Sequence, residues 1–270
     1  MANGFVVTSD NGSGGVAAWA GVPSQFRQPN GSLPPAWEAL YGPLRAGRVD
    51  DLMVVAQLGQ SIDGRIATTT GHSKYINGAA GLDHLHRLRA LVDAIVVGVE
   101  TAVCDDPELT VRRVAGPNPA RVVIDPRGRL SATARMLRPD GARRVVVLGE
   151  QVESCFADDV EILRVSLAAG IAAPATILAG LHAKGFRRIL IEGGARTVSQ
   201  FLEAGCLDRL HVMVAPVLLG AGRSSLALSP IERADDALRP PVAPHLLDDE
   251  VLFDVDLSYH RKPIAPPVQA

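Results

Sequence analysis

The sequence predicts an α/β fold: a mixed, mainly parallel sheet with helices on both faces and antiparallel strands at one end. Three observations carry this. From residue 51 onward, apolar runs of strand length alternate with helix-length stretches, the pattern of a parallel sheet covered on both sides. AIVVGV (94–99) offers no polar residue to water, as expected of a central strand buried on both faces. Near the end, LDRLHVMVAPVLLG (207–220) and DEVLFDVDLSYH (249–260) follow one another with no helical pattern between them, which predicts an antiparallel region.

The first fifty residues are dense in Gly, Pro, Asn and Ser, as in DNGSGG, VPSQFRQPNGSLPP and YGPLRAGR. They read as an extended arm (1–50) docked on the following domain, with one short helix near PPAWEALYGPL, where Pro35 suits an early helical position. Trp19 and Trp37 are expected to pin the arm down. DLMVVAQLG then forms the first strand of a domain spanning 51–262. In NGAAGLDHLHRLRALV, Leu82, Leu85, Leu88 and Leu91 recur at three-residue spacing, which predicts an amphipathic helix with Asn77 as its N-cap. ARVVIDP, RRVVVLGE and VEILRVS are further strands, and PATILAGLHAKG is a helix closed by Gly185. RRILIEGG runs as a strand into a glycine pair, and ARTVSQFLEAG follows as a helix. Residues 227–247 read as an irregular connection, and 263–270 as a tail.

Of 270 residues 47% are hydrophobic and 21% charged, with a formal net charge of −2, which excludes a disordered chain and gives no support to a nucleic-acid or anionic-membrane partner. Cys104, Cys155 and Cys206 lie far apart without a CxxC pair, so free, mostly buried thiols in a reducing cytoplasm are expected, with no cysteine zinc site. His84 and His86, two apart on a helix, point to different faces, and no HExxH occurs, so no metal is expected. Neither a secretory leader nor a membrane-spanning run is read.

Three stretches could carry chemistry. In ILIEGGARTVSQFL (189–202) a strand ends at Glu192, Gly193 and Gly194 turn the chain, and a helix begins near Arg196 and Thr197. A helix N-terminus attracts anions and glycine lets a phosphate approach the backbone, although such a pair can equally serve only to turn a corner. The stretch is neither GxGxxG nor GxxxxGK[ST]. GVETAVCDDPELTVR (98–112) sets Asp105, Asp106 and Arg112 around a turn leaving a buried strand, where open α/β sheets bind ligands; the plainer reading is capping acids and a surface charge. QLGQSIDGRIATTTGHSKYI (57–76) leaves the first strand through Gly59 and offers Ser73 and threonine hydroxyls to a phosphate or to solvent.

Taken together, LGQSIDGRIAT (58–68), GHSKYI (71–76), HRLRALVDAIVVGVETAVCDDPELTVR (86–112), ARVVIDPRGRL (120–130) and ILIEGGARTVSQFLEAGCLDRLHVMVAPVLLG (189–220) resemble the pyrimidine reductase of riboflavin biosynthesis, found alone or as the C-terminal half of a bifunctional deaminase–reductase. The resemblance implies a dihydrofolate-reductase-like fold, NADPH as hydride donor, a ribosylamino-pyrimidine 5′-phosphate as substrate and a homodimer. By position it puts Ser73, Arg89, Leu109, Arg112 and Glu192 on the substrate side. On the cofactor side it puts Gly59, Tyr75, Thr101, Asp105, Pro126 and Gly193, Gly194, Ala195, Arg196 and Thr197. Asp106 is then a structural turn acid, and Glu192 and Asp105 are the carboxylates nominated for proton transfer. Gln57 stands where bifunctional members usually carry lysine; stand-alone reductases, which act on the pyrimidine before deamination, tend to be uncharged there. The rival readings are the undeaminated diaminopyrimidine or a pterin such as dihydrofolate as substrate, and a non-catalytic NADPH-binding regulatory protein.

Overall fold

Runs of β-branched residues make the strands of the computed structural model, which describes residues 6–7, 19–74 and 76–264. The elements begin with β1 (Val6–Val7), α1 (Val22–Arg27), α2 (Pro35–Tyr41), β2 (Met53–Ser61), β3 (Arg65–Thr68), α3 (Ala79–Leu91), β4 (Ala94–Gly98) and α4 (Val99–Asp105). They continue with β5 (Ala120–Ile124), β6 (Arg144–Gly149), β7 (Glu161–Val165), β8 (Leu167–Ala168), β9 (Ile171–Ala172), α5 (Pro174–Ala183), β10 (Arg188–Glu192) and α6 (Ala195–Glu203). The last are β11 (Arg209–Ala215), β12 (Gly222–Ser224), β13 (Val242–Leu247) and β14 (Glu250–Asp256).

Ten strands form one sheet in the order β1-β13-β14-β11-β2-β10-β4-β5-β6-β7. From β11 through β2 and β10 to β7 every pairing is parallel, and β14 runs antiparallel to both β11 and β13. The mixed, mainly parallel sheet with an antiparallel end is therefore present. Side chains alternate along each strand, so Ile189 and Ile191 of β10 pack under α5 and α6 with Ile177, Leu181 and Phe201. Leu190 faces the other way, into a core with Leu88 and Leu91 of α3 and with Trp19, Phe26 and Trp37 of the N-terminal segment. The buried edges of α1 and α2 belong to that second core, and Pro35 does open α2.

The structure corrects several expectations. The N-terminal segment holds two helices, since VPSQFR forms α1 as well. Gly78, not Asn77, caps α3; the Asn77 amide donates to Glu250 Oε1 at 2.7 Å instead, because Glu250 also takes the Gly81 N–H at the helix start. Leu82 is 41% exposed, and the inner face of α3 is instead rich in buried polar residues, namely His84, His86, Arg87 and Arg89. The stretch 227–247 is irregular only in part, because Val242–Leu247 pairs along β14 despite Pro244. Its burial alternates only over the last few residues, which hides the strand from pattern reading. The cysteines are free, but only Cys206 is buried; Cys104 and Cys155 are exposed.

Candidate functional site

Parallel register lines up one row of polar side chains across the sheet. Glu192 of β10 lies opposite Gln57 of β2, Gln57 opposite His211 of β11, and His211 opposite Asp254 of β14. Register partners share a face, so all four point toward the α3 side. Arg89, in the last turn of α3, reaches this row. Its Nε donates to Glu192 Oε1 at 2.8 Å and its Nη2 to Glu192 Oε2 at 2.7 Å, while Nη1 donates to the Thr110 carbonyl at 3.1 Å. Arg89 and Glu192 are each 6% exposed. Burial works against the charged guanidinium, and the Glu192 carboxylate more than offsets it, so Arg89 titrates above the ordinary arginine value.

The loop after α4 closes over the same helix. Asp106 ends α4 in the left-handed region (φ 39°), and its carboxylate accepts the Arg135 N–H at 2.8 Å, the structural turn role expected of it. Leu109 is also left-handed (φ 56°) and buried, a conformation that costs a branched residue strain and is held here by core packing. The next residues return along α3. The Arg112 N–H donates to His86 Nδ1 at 3.1 Å, leaving the Arg112 side chain exposed. Burial first, then the charges of Arg89, Arg112 and Arg113, press His86 down to about 3. It is a neutral acceptor at neutral pH, in an electropositive corner. Reading from sequence missed His86, whose role rests on a backbone N–H 26 residues away.

A second corner sits where β4 and β10 end side by side. Gly193 adopts φ +129°, and a Cβ there would lie 3.2 Å from Thr101 Oγ1. A Cβ on Gly98 would come within 2.5 Å of Thr197 Oγ1. The Gly194 N–H donates to Thr101 Oγ1 at 3.2 Å, joining the two strand ends. Gly194 caps α6 without a side-chain bond, and the N–H groups of Ala195 and Arg196 have no acceptor among the described residues. Free first-turn N–H groups beside glycines that keep the backbone bare suit a phosphate group.

Residues 53–240 match the model of the RibD C-terminal domain. The chain belongs to the RibD C-terminal domain family. It is 36% identical over 197 residues to the 2,5-diamino-6-ribosylamino-4(3H)-pyrimidinone 5′-phosphate reductase of Methanothermobacter thermautotrophicus, covering 69% of this chain and 88% of the relative. It is 32% identical over 197 residues to the riboflavin biosynthesis protein RibD of Aquifex aeolicus, covering 72% of this chain but only 55% of that protein. Among solved structures, the diaminohydroxyphosphoribosylaminopyrimidine deaminase/5-amino-6-(5-phosphoribosylamino)uracil reductase of Thermotoga maritima aligns with a TM-score of 0.65 at 26% identity, over 76% of this chain and 56% of that one. Acinetobacter baumannii RibD aligns at 0.66 and 27%, over 82% and 62%.

The fold joins Glu192 to Arg89, and α3 to the loop of Leu109 and Arg112 through the Thr110 carbonyl and the Arg112 N–H. It brings Thr101 to Gly193 and Gly194, and Gly98 to Thr197, at the neighbouring corner. Asp105 ends α4 with its side chain exposed. Pro126 follows β5 and accepts the Gly149 N–H through its carbonyl. Gly59 has a local reason to be glycine, since a Cβ there would meet Asn77 Oδ1 at 1.8 Å. Ser73 is exposed in the loop after β3, and Tyr75 lies outside the described residues. The SIDGR turn is structural: Asp63 accepts the Ser61 hydroxyl and the N–H groups of Leu219 and Gly220. Those bonds, the Ser61 hydroxyl foremost, hold its carboxyl down at about 2. From His211 and Asp254 of the polar row a buried relay extends to α3 and α2, which sequence reading also missed. The Tyr41 hydroxyl lies 3.0 Å from His84 Nδ1, His84 Nε2 lies 3.0 Å from His211 Nδ1, and Asp254 pairs with both His211 and Arg209.

Proposed function

We propose that the chain is an NADPH-dependent reductase of riboflavin biosynthesis that converts the ribosyl group of a ribosylamino-pyrimidine 5′-phosphate to ribityl. The observation that carries the reading is the juxtaposition of the bare glycine corner with the buried Arg89–Glu192 pair: Glu192 is the last residue of β10 and Gly193–Gly194 follow it directly, in a RibD-family sheet. The corner fits the cofactor pyrophosphate: Ala195 and Arg196 offer N–H donors, and Thr101 and Thr197 close the sides. A nicotinamide cofactor bound there supplies the hydride.

The exposed guanidinium of Arg112 takes the substrate phosphate, favoured by the electropositive corner around His86. Arg89 gives Nε and Nη2 to Glu192 and Nη1 to the Thr110 carbonyl, so it holds that carboxylate and the start of the Arg112 loop in place. Glu192, locked as an ion-pair partner, serves as an acceptor that orients the substrate rather than as a proton donor. In the reaction the C1–O4 bond of the ribosylamine breaks and nitrogen donates its lone pair to form the C1=N iminium. O4 takes a proton, and hydride reaches C1. We assign that proton transfer to Asp105, which is exposed at the end of α4. The chain acts as a cytoplasmic homodimer, an expectation resting on the family resemblance.

A second substrate reading is favoured by one observation: the chain spans most of the Methanothermobacter reductase, whose name specifies the diaminopyrimidinone. NADPH oxidation by the purified chain, offered the deaminated and undeaminated phosphates and dihydrofolate separately, tests all of this. Turnover of one phosphate ester identifies the substrate. Turnover of dihydrofolate alone, or of none with NADPH still bound, overturns the proposal.

A further inference from the structure

Residues 19–44 lie outside the region matched to the family, yet they hold the two parts of the chain that carry the arginines. The Trp19 indole Nε1 donates to the Ala115 carbonyl at 2.8 Å, three residues beyond Arg112. Arg27 donates to the carbonyls of Ala90 and Val92 at 2.9 and 3.2 Å, capping the end of α3 immediately after Arg89. The Arg87 guanidinium lies over the rings of Trp37 and Trp19 at 4.7 and 5.6 Å, and Tyr41 bonds His84. A Cβ on Gly116 would meet Ala90 Cβ at 2.5 Å and Pro23 Cγ at 3.5 Å, so the loop passes close to both α1 and α3 there. The loop and α3 are bonded to each other by Arg89 to Thr110 and by Arg112 to His86, so a clamp on both fixes their spacing.

We propose that residues 19–44 form a brace that positions Arg112 and Arg89, with Trp19 as the residue that holds the Arg112 loop. Trp19 touches no reacting group; it acts through Ala115. This inference rests on the reading of Arg112 as the phosphate residue. Without the indole N–H the loop loses its distal anchor while the glycine corner, at the C-terminal end of β10, keeps its bond to Thr101. The brace thus affects one ligand and not the other.

The test uses Trp19→Phe in the full chain, which keeps an aromatic ring in the cluster and removes the N–H donor. Ribose 5-phosphate and NADPH are titrated separately by calorimetry, and hydrogen exchange is followed over residues 109–116. Expected are faster exchange in that segment, ribose 5-phosphate binding weaker by roughly tenfold, the size of one lost hydrogen bond, and unchanged NADPH binding. Unchanged exchange there overturns the brace. Faster exchange with wild-type affinity for ribose 5-phosphate overturns the step from loop to phosphate, as does equal weakening of both ligands. A wild-type chain that binds NADPH but no ribose 5-phosphate overturns the phosphate reading of Arg112 and this extension with it. Arg27→Lys, which keeps the charge and loses the fork that spans two carbonyls, repeats the test from the α3 side and is expected to weaken the same ligand.

Discussion

Replacing Glu192 by Gln tests the energetics at the centre of the site. The substitution keeps the shape of the side chain and removes the charge facing Arg89, whose Nε and Nη2 donate at 2.8 and 2.7 Å. Both residues are 6% exposed, so water cannot take over the lost interaction. At about 4 Å between charge centres and an effective dielectric near 20, the attraction is about 4 kcal/mol. Stranding one member of a buried pair costs about 3–5 kcal/mol. Glutamine still offers one acceptor oxygen, which places the expected loss near the lower end, about 3 kcal/mol, or about 6–12 °C in Tm for a chain of this size. Urea unfolding of Glu192→Gln, Arg89→Met and the double variant forms the cycle. The double variant is expected to lose about 3 kcal/mol less than the sum of the singles, since removing both charges strands neither. If the losses add to within about 0.5 kcal/mol, the two charges do not depend on each other and the reasoning is refuted.

Arg112→Ala is expected to raise the KM for the phosphorylated substrate at least about tenfold, the effect of losing a charge-assisted hydrogen bond, with NADPH affinity unchanged; parallel loss of both would sink the assignment of the two corners. Gly193→Ala must take φ +129° and crowd Thr101 Oγ1, so a stability loss of about 1–3 kcal/mol and weaker NADPH binding are expected by calorimetry; a variant like wild type in both would show the corner is neither strained nor a cofactor site. Acidification should weaken the fold through His86. Its folded value of about 3 lies below the unfolded one, so the unfolded chain alone takes up the proton in between. Stability is full above about pH 6.5 and falls toward pH 3, and His86→Gln should lessen that slope by about 1.4 kcal/mol per pH unit between pH 6 and 4. Equal slopes in the two chains would contradict the burial of a neutral His86.

Strands whose side chains are apolar on both faces, such as Ala94–Gly98 and Arg144–Gly149, could be read directly, because burial on two sides leaves a continuous run. The antiparallel end was legible from the missing helix between β11 and β14. β13 was not, since Pro244 and a half-exposed start mask its period. The inner face of α3 was misread for a different reason. Leucine spacing reports where apolar residues are, whereas His84, Arg87 and Arg89 are buried by partners in α2, β11 and β10, far away in the chain. The same holds for the site. A glycine pair ending a strand announces a bare turn within one short stretch. The pairing of Arg89 with Glu192 spans 103 residues, and the service of Trp19 to Ala115 spans 96. No local pattern encodes either.

Both tryptophans of this chain sit in one place. Trp19 and Trp37 meet edge to face at 5.4 Å, buried beside Arg87. The protein therefore carries its own optical probe, and the probe watches a single joint. Intrinsic emission and near-ultraviolet dichroism report whether the N-terminal segment is seated on α3, while far-ultraviolet dichroism is dominated by the sheet and the helices around it. Melting curves from the two signals that coincide would make segment and sheet one cooperative unit, and an earlier optical transition would mark the segment lifting away from a sheet still folded.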